Sequence, residues 1–415
     1  MRALLAAALL LVSVPPCRAE TDVYLKLSGQ NGAALLPLGL GDFSAANAAD
    51  ASEALLAKRI QDVVRDDLLF SRRFRLVSGP DWKASGAHCL LSARVQKSAD
   101  LVAVSARLVD LDSGDAVLER YYREGSRWTR ALAHRISDDV VRQLTGKEGI
   151  AHTRIAFSNN QTGHKEIYVM DYDGAEIHQL TRHHSISILP RFSPDGKSIA
   201  YTSYKDGNPD LFLLDLQRGE SRAVSRDQGL NIAGGFSPDG TELLMTLSRE
   251  KSPNIYLKNL SDRSVLRLTH YFGADSSPTF SPDSRQVAFV SDRSGNPQIY
   301  LLDLTTRRAR RLTDLNWCDS PSWSPTGEWI AFSGRAGRED KLEIYVVDVT
   351  GSQVVRLTHD MGSNENPSWS PDGRFLAFSS TRDGRHQLYV MDADGSAPHR
   401  IADVPGDSVQ PSWSN

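Results

Sequence analysis

Six aromatic residues, each followed by serine, recur along the C-terminal two-thirds of the chain: Phe192, Phe236, Phe280, Trp323, Trp369 and Trp413. Their successive spacings are 44, 44, 43, 46 and 44 residues. A period in the low forties with strand-like content predicts propeller blades, one four-stranded sheet per repeat. Within each repeat the order is constant. A Ser-Pro-Asp-Gly type turn leads to an apolar strand such as Leu376-Ala377-Phe378, and then to a second apolar strand such as Leu388 to Asp392. A short Arg-Leu-Thr phrase follows, as at 267–269, 311–313 and 356–358. In the turn, Pro fixes φ, Asp bonds the local backbone and Gly accepts positive φ. Ser284 in place of Gly and Thr326 in place of Asp predict two turns that are strained or differently shaped. Near-continuous apolar strands need burial on both faces, which a blade wedged between neighbours provides.

The last copy is truncated to Gln410-Pro-Ser-Trp-Ser-Asn415, and its missing followers stand at the start of the repeat region. Arg154 to Ser158, Ile167 to Asp171 and Gln179-Leu-Thr181 begin mid-phrase. The C-terminal strand is therefore expected beside residues 154–181 in one composite blade. That closes a six-bladed ring with no exposed inter-blade edge.

Residues 20–146 lack the repeat and read as a small α/β domain, joined to the propeller (154–415) by a linker at 147–153. Leu56, Ile60, Val64 and Leu68 share a helical face, with Asp50 or Ser52 as N-cap. Val102, Val104, Ala106 and Leu108 alternate as a strand, with hairpin partners at 88–96 and 116–122. A second helix is expected from Ser126, with Trp128, Leu132, Ile136, Val140 and Leu144 on one stripe and a stop near Gly146.

At the start of the chain, Arg2, the apolar run 3–14 and the small residues around Cys17-Arg18-Ala19 read as a cleaved signal peptide over 1–19. Export permits disulfides. Yet Cys89 and Cys318, the two cysteines beyond that segment, fall in different domains and are expected as buried thiols. A formal net charge of -3 with 24% charged residues of mixed sign argues against a nucleic-acid partner.

The chain carries no Gly-x-Ser-x-Gly elbow, His-Glu-x-x-His, phosphate-binding glycine loop or Cys-x-x-Cys. His183-His184 reads as a polar loop, since zinc needs three or four converging ligands. Asp171-Tyr-Asp-Gly174 and Asp392-Ala-Asp-Gly395 read as turns and lack the later Glu of a calcium loop. No catalytic residue, metal or cofactor is assigned. What remains is surface. Loops entering the innermost strands crowd one mouth of the ring: Asn231-Ile-Ala-Gly234, Gly273-Ala-Asp-Ser276, Asn316-Trp-Cys-Asp319, Gly362-Ser-Asn-Glu365 and Gly406-Asp-Ser-Val409. They are candidates for a protein-docking face. An exported propeller that binds glycan or peptide, or an enzyme acting in the channel, is the alternative.

The order of signal peptide, α/β domain with its Phe74-Arg-Leu strand, and six repeats closed by Gln-Pro-Ser-Trp-Ser-Asn resembles the TolB family of the Tol-Pal system. The resemblance implies a monomeric, non-catalytic periplasmic scaffold. It would link the lipoprotein Pal to the inner-membrane proteins TolA, TolQ and TolR, supporting outer-membrane integrity and constriction at division, with colicins exploiting the same proteins. It places Pal contacts at Leu230, Ala233 and Ser276. It also places a TolA-binding segment at Glu20, Thr21, Asp22, Val23, Tyr24 and Leu25. Val23, Leu25 and Leu27 alternate as a strand able to dock on its own domain or add to a partner's sheet edge.

Overall fold

The computed structural model describes residues 35–79, 81–359 and 361–415. The expected signal peptide and the segment Glu20 to Leu27 lie outside the described residues. The α/β domain opens with β1 (Leu36–Ala45), followed by α1 (Ala51–Phe70), β2 (Phe74–Val77), β3 (Cys89–Ser98), β4 (Leu101–Asp110), β5 (Ala116–Gly125) and α2 (Thr129–Thr145). The sheet order is β2-β1-β3-β4-β5, with β1 parallel to both neighbours and β3-β4-β5 an antiparallel meander. Asp50 is the N-cap of α1, its Oδ1 accepting from Ser52 N at 2.8 Å and Glu53 N at 3.2 Å. Ile60, Val64 and Leu68 of α1 and Leu132, Ile136 and Val140 of α2 share one core with the sheet. α2 stops at Gly146, in the left-handed region.

One residue departs from its predicted stripe. Ser126–Trp128 form a 3-10 turn ahead of α2, so Trp128 is out of phase with the helix and 53% exposed, under the Arg127 guanidinium. Cys89 and Cys318 are buried and free, as expected.

Six four-stranded antiparallel sheets make the propeller. The closing strand Ser408–Trp413 pairs with Arg154–Asn159, the innermost place in the composite blade. The central strands are buried on both faces: Ile330 to Phe332 and Leu376 to Phe378 are fully covered. The Arg-Leu-Thr phrase has a definite task. Its threonine hydroxyl accepts the first free N–H of the preceding apolar strand, Thr269 from Ile255 N at 3.0 Å and Thr313 from Ile299 N at 2.9 Å. Each inner strand also carries a bulge.

The α/β domain sits on the end of the ring that carries the Ser-Pro turns. Phe70, at the C-terminus of α1, packs edge-on to Tyr172 (4.7 Å between centroids) and against Phe375 (4.9 Å). The guanidinium of Arg374 donates to Arg72 O. At the centre Asp67, fully buried, accepts from Ser137 Oγ (2.7 Å) and Tyr172 OH (2.7 Å) and pairs with His134 Nδ1 (2.9 Å). Arg130 of α2 reaches both Asp171 and Asp173. Burial opposes charge on His134, but hydrogen bonds to Asp171 and Asp67 outweigh it and raise its pKa from 6.5 to about 9.

Ser284 keeps the shape of its turn at φ 59°, where Gly196, Gly240 and Gly373 stand in other blades. A left-handed residue with a Cβ costs roughly 1–2 kcal/mol, part of which glycine returns as unfolded-chain entropy. Ser284→Gly is therefore expected to stabilise the protein by about 0.5–1 kcal/mol in denaturant unfolding; a destabilised variant would refute the strain. His134 binds its proton more tightly folded than unfolded, so its stabilising effect is full below about pH 6.5 and fades as pH rises to about 9. The stability difference between wild type and His134→Gln should accordingly be largest near pH 6 and shrink above pH 9. A difference independent of pH would show that the imidazolium does not hold the junction.

Candidate docking face at the channel mouth

Each innermost strand runs from one mouth of the channel to a Ser-Pro turn at the other. The α/β domain occupies the turn end, where Arg73 faces Asp372 and Phe70 meets Phe375. The mouth at which the inner strands begin lies at the opposite end. Its loops carry large apolar side chains in water: Phe272 is 90% exposed, Met361 56%, Ile186 46% and Trp317 37%. Scattered exposed apolar residues are ordinary, but here four blades each place one on the same end of the ring, which makes that end the candidate interaction surface.

The rim between these residues carries ordered basic side chains. After the second strand of several blades a basic side chain folds back over the aromatic of the third: Lys205 on Phe212 (4.6 Å), Arg249 on Tyr256 (4.8 Å), Arg293 on Tyr300 (5.0 Å) and Arg382 on Tyr389 (4.3 Å). Arg293 also donates to both oxygens of buried Asp275 at 2.9 Å. Stacking holds these cations in place, helped by ion pairs of Lys205 with Asp206, Arg249 with Asp227 and Arg293 with Asp275. Just inside the mouth, Asp319 accepts from Ser277 Oγ (3.3 Å) and Ser320 N (2.5 Å). Burial raises its carboxyl above the ordinary range, against those hydrogen bonds.

Of the three residues assigned to Pal contact, Ala233 and Ser276 fall on two neighbouring inner strands and Leu230 immediately precedes the first of them. Leu230 is half-buried, with its N–H donating to Ser248 Oγ at 2.8 Å. Ser276 is half-buried and pairs with Val290. Ala233 is only 3% exposed and lines the channel, its N–H donating to Thr202 Oγ1. Glu20, Thr21, Asp22, Val23, Tyr24 and Leu25 lie outside the described residues. Phe272, Met361 and Ile186 are not among the contacts expected from the sequence, although each is an apolar side chain in an otherwise polar approach loop. Inside the ring the inner strands line a cavity of about 90 Å³. Among the described residues no cluster of three or more His, Cys, Asp or Glu could hold a metal, and no helix is long and apolar enough to cross a membrane.

Fold and surface together define a class: a six-bladed β-propeller that carries a small α/β domain on one end. The family model described as the TolB beta propeller domain matches residues 141–336 and 315–415. The chain belongs to the TolB β-propeller family. It is 36% identical over 209 residues to "Tol-Pal system protein TolB" of Geobacter sulfurreducens, covering 46% of this chain and 48% of that protein. It is 33% identical over 217 residues to the protein of the same name from Cereibacter sphaeroides, again covering 48% of it. The chain thus spans about half the length of the curated relatives it matches. The crystal structure of TolB from Acinetobacter baumannii superposes with a TM-score of 0.78 at 27% identity, over 92% of this chain and 97% of that one.

Proposed function

We infer that this chain is a non-catalytic periplasmic scaffold of a Tol-Pal system. It binds Pal through the open propeller mouth and TolA through the segment Glu20 to Leu25, and so supports outer-membrane integrity and constriction at division. The observation that carries the reading is the set of exposed apolar side chains, Ile186, Phe272, Trp317 and Met361, on the end of the ring away from the α/β domain. The likeness to relatives named Tol-Pal system protein TolB supplies the partner class. The channel cavity of about 90 Å³ is small beside ligand pockets of about 300 Å³ or more. That size favours a partner seated on the mouth over a glycan, peptide or substrate threaded inside.

Calorimetric titration with the soluble domain of the cognate Pal should show saturable binding at micromolar affinity or tighter. Phe272→Ser should weaken it about tenfold or more while changing folding stability by less than about 0.5 kcal/mol. Absence of binding would reject the mouth as the Pal site, and a glycan or peptide affinity that survives deletion of 20–27 would establish the rival. Coupling between the two partner sites has its own readout. Amide exchange in 20–27 should change on saturation with Pal; identical exchange with and without Pal would show that the segment is not switched from the mouth.

A further inference from the structure

The residues immediately before the six inner-strand aromatics form one layer of the channel wall. They are Arg191, Gly235, Thr279, Ser322, Ser368 and Ser412, and all six line the same cavity. Five are small, and four of these bear hydroxyls. Arg191 alone is long and charged. Its guanidinium donates to Pro190 O at 3.0 Å, and burial alone acts on it, pushing it down to about 10, so it stays charged at neutral pH. The channel's carboxylates are engaged nearer the mouth, Asp319 by Ser277 and Ser320 and Glu365 by Ser363 Oγ at 2.8 Å. Among the described residues Arg191 forms no salt bridge with any of them.

Around this cation the hydroxyls are set as donors. Ser368 Oγ accepts the N–H of Trp413 at 2.9 Å and Ser412 Oγ accepts that of Phe192 at 3.2 Å, so each keeps its own proton to give. Gly235 places no side chain in the space. A guanidinium without a carboxylate, half-buried in a narrow channel, loses part of its hydration and is costly unless an anion meets it. A planar donor fork with hydroxyls beside it matches the two or three acceptor oxygens of a carboxylate or phosphate.

We propose that this layer of the channel is a binding site for one small oxyanion, carboxylate or phosphate, held by the guanidinium of Arg191 and the hydroxyls of Ser368 and Ser412. The cavity of about 90 Å³ suits an ion of that size. The site lies below the docking mouth and does not depend on the identity of any protein partner.

The test is calorimetric titration of the intact protein, without partner, with inorganic phosphate and separately with acetate at constant ionic strength. Wild type should bind at least one of them saturably with a stoichiometry of one, and the two probes distinguish a phosphate site from a carboxylate site. Arg191→Gln should lose that binding, Arg191→Lys should retain a weakened form, and Ser368→Ala should lower the affinity by about threefold to tenfold, as loss of one charge-assisted hydrogen bond implies. Arg191→Gln should also melt at or above the wild-type temperature when neither anion is present, because it removes an unpaired charge. Equal anion binding by Arg191→Gln would overturn the proposal, as would wild-type protein that binds neither probe.

Discussion

No blade of this propeller can stand alone, because its central strands are apolar on both faces. Trp329, Ala331, Ile344 and Val346 of one blade share a single core with Trp369, Leu376, Phe378, Tyr389 and Met391 of the next. Every sheet is therefore a filling between two others, and the ring has to close for any of it to be buried. Closure falls to one short strand, Ser408–Trp413, laid against Arg154–Asn159. It is secured by reciprocal contacts at the chain end: Ser414 N donates to Arg154 O, Arg154 N donates to Ser414 Oγ, and Trp413 Nε1 donates to Thr153 Oγ1 at 2.8 Å.

Thr153 connects that closure to the second domain. Its carbonyl accepts the N–H of Tyr172, whose hydroxyl reaches Asp67 on α1, and its hydroxyl donates to Ile150 O in the connector. Asp138 on α2 accepts from Ala151 N and His152 N a few residues earlier. The seam of the ring and the seat of the α/β domain are thus one hydrogen-bonded unit. This pins the domain to the turn end of the propeller, away from the other mouth. The Asp67 cluster is fully desolvated and its donors converge on one carboxylate, an arrangement costly to break because removal of any partner strands a buried charge or dipole.

The repeat period, the turn chemistry and the order of strands were legible because each depends on neighbours close in sequence. The ring's closure was legible too, since the phrase missing at one end stands at the other. The junction was not. Asp171-Tyr-Asp-Gly174 reads as a hairpin turn and is one, with Gly174 at φ 89° beneath the Ile401 carbonyl. Nothing within ten residues of Tyr172 announces that its hydroxyl meets an aspartate more than a hundred positions away. Trp128 escaped for a different reason: one 3-10 turn shifts the phase of the helix that follows. At the mouth, Phe272 and Met361 stood among polar residues in plain sight, but the polar character of their loops outweighed the single apolar letters. Arg191 likewise interrupts a column of small residues that becomes visible only when the repeats are stacked.

The channel wall shows what that stacking is for. In five of the six blades the residue three places before the aromatic has a left-handed backbone without being glycine: Leu189, Ser277, Ser320, Asn366 and Gln410 lie between φ 52° and 59°. Such a conformation costs roughly 1–2 kcal/mol each. It persists because the bulge it creates turns the following residue pair toward the axis. Hydrogen bonds secure the strained positions across blades, Leu189 N donating to Gln410 Oε1 and Asn366 N to Ser333 Oγ. The exception is Ala233, whose blade has Gly234 and Gly235 where the others have Pro followed by Thr, Ser or, in one blade, Arg191, and a Cβ on Gly234 would collide with Pro278 and the Leu244 carbonyl. The bulges set one guanidinium and four hydroxyls at a single height, and five small neighbours leave the arginine its space.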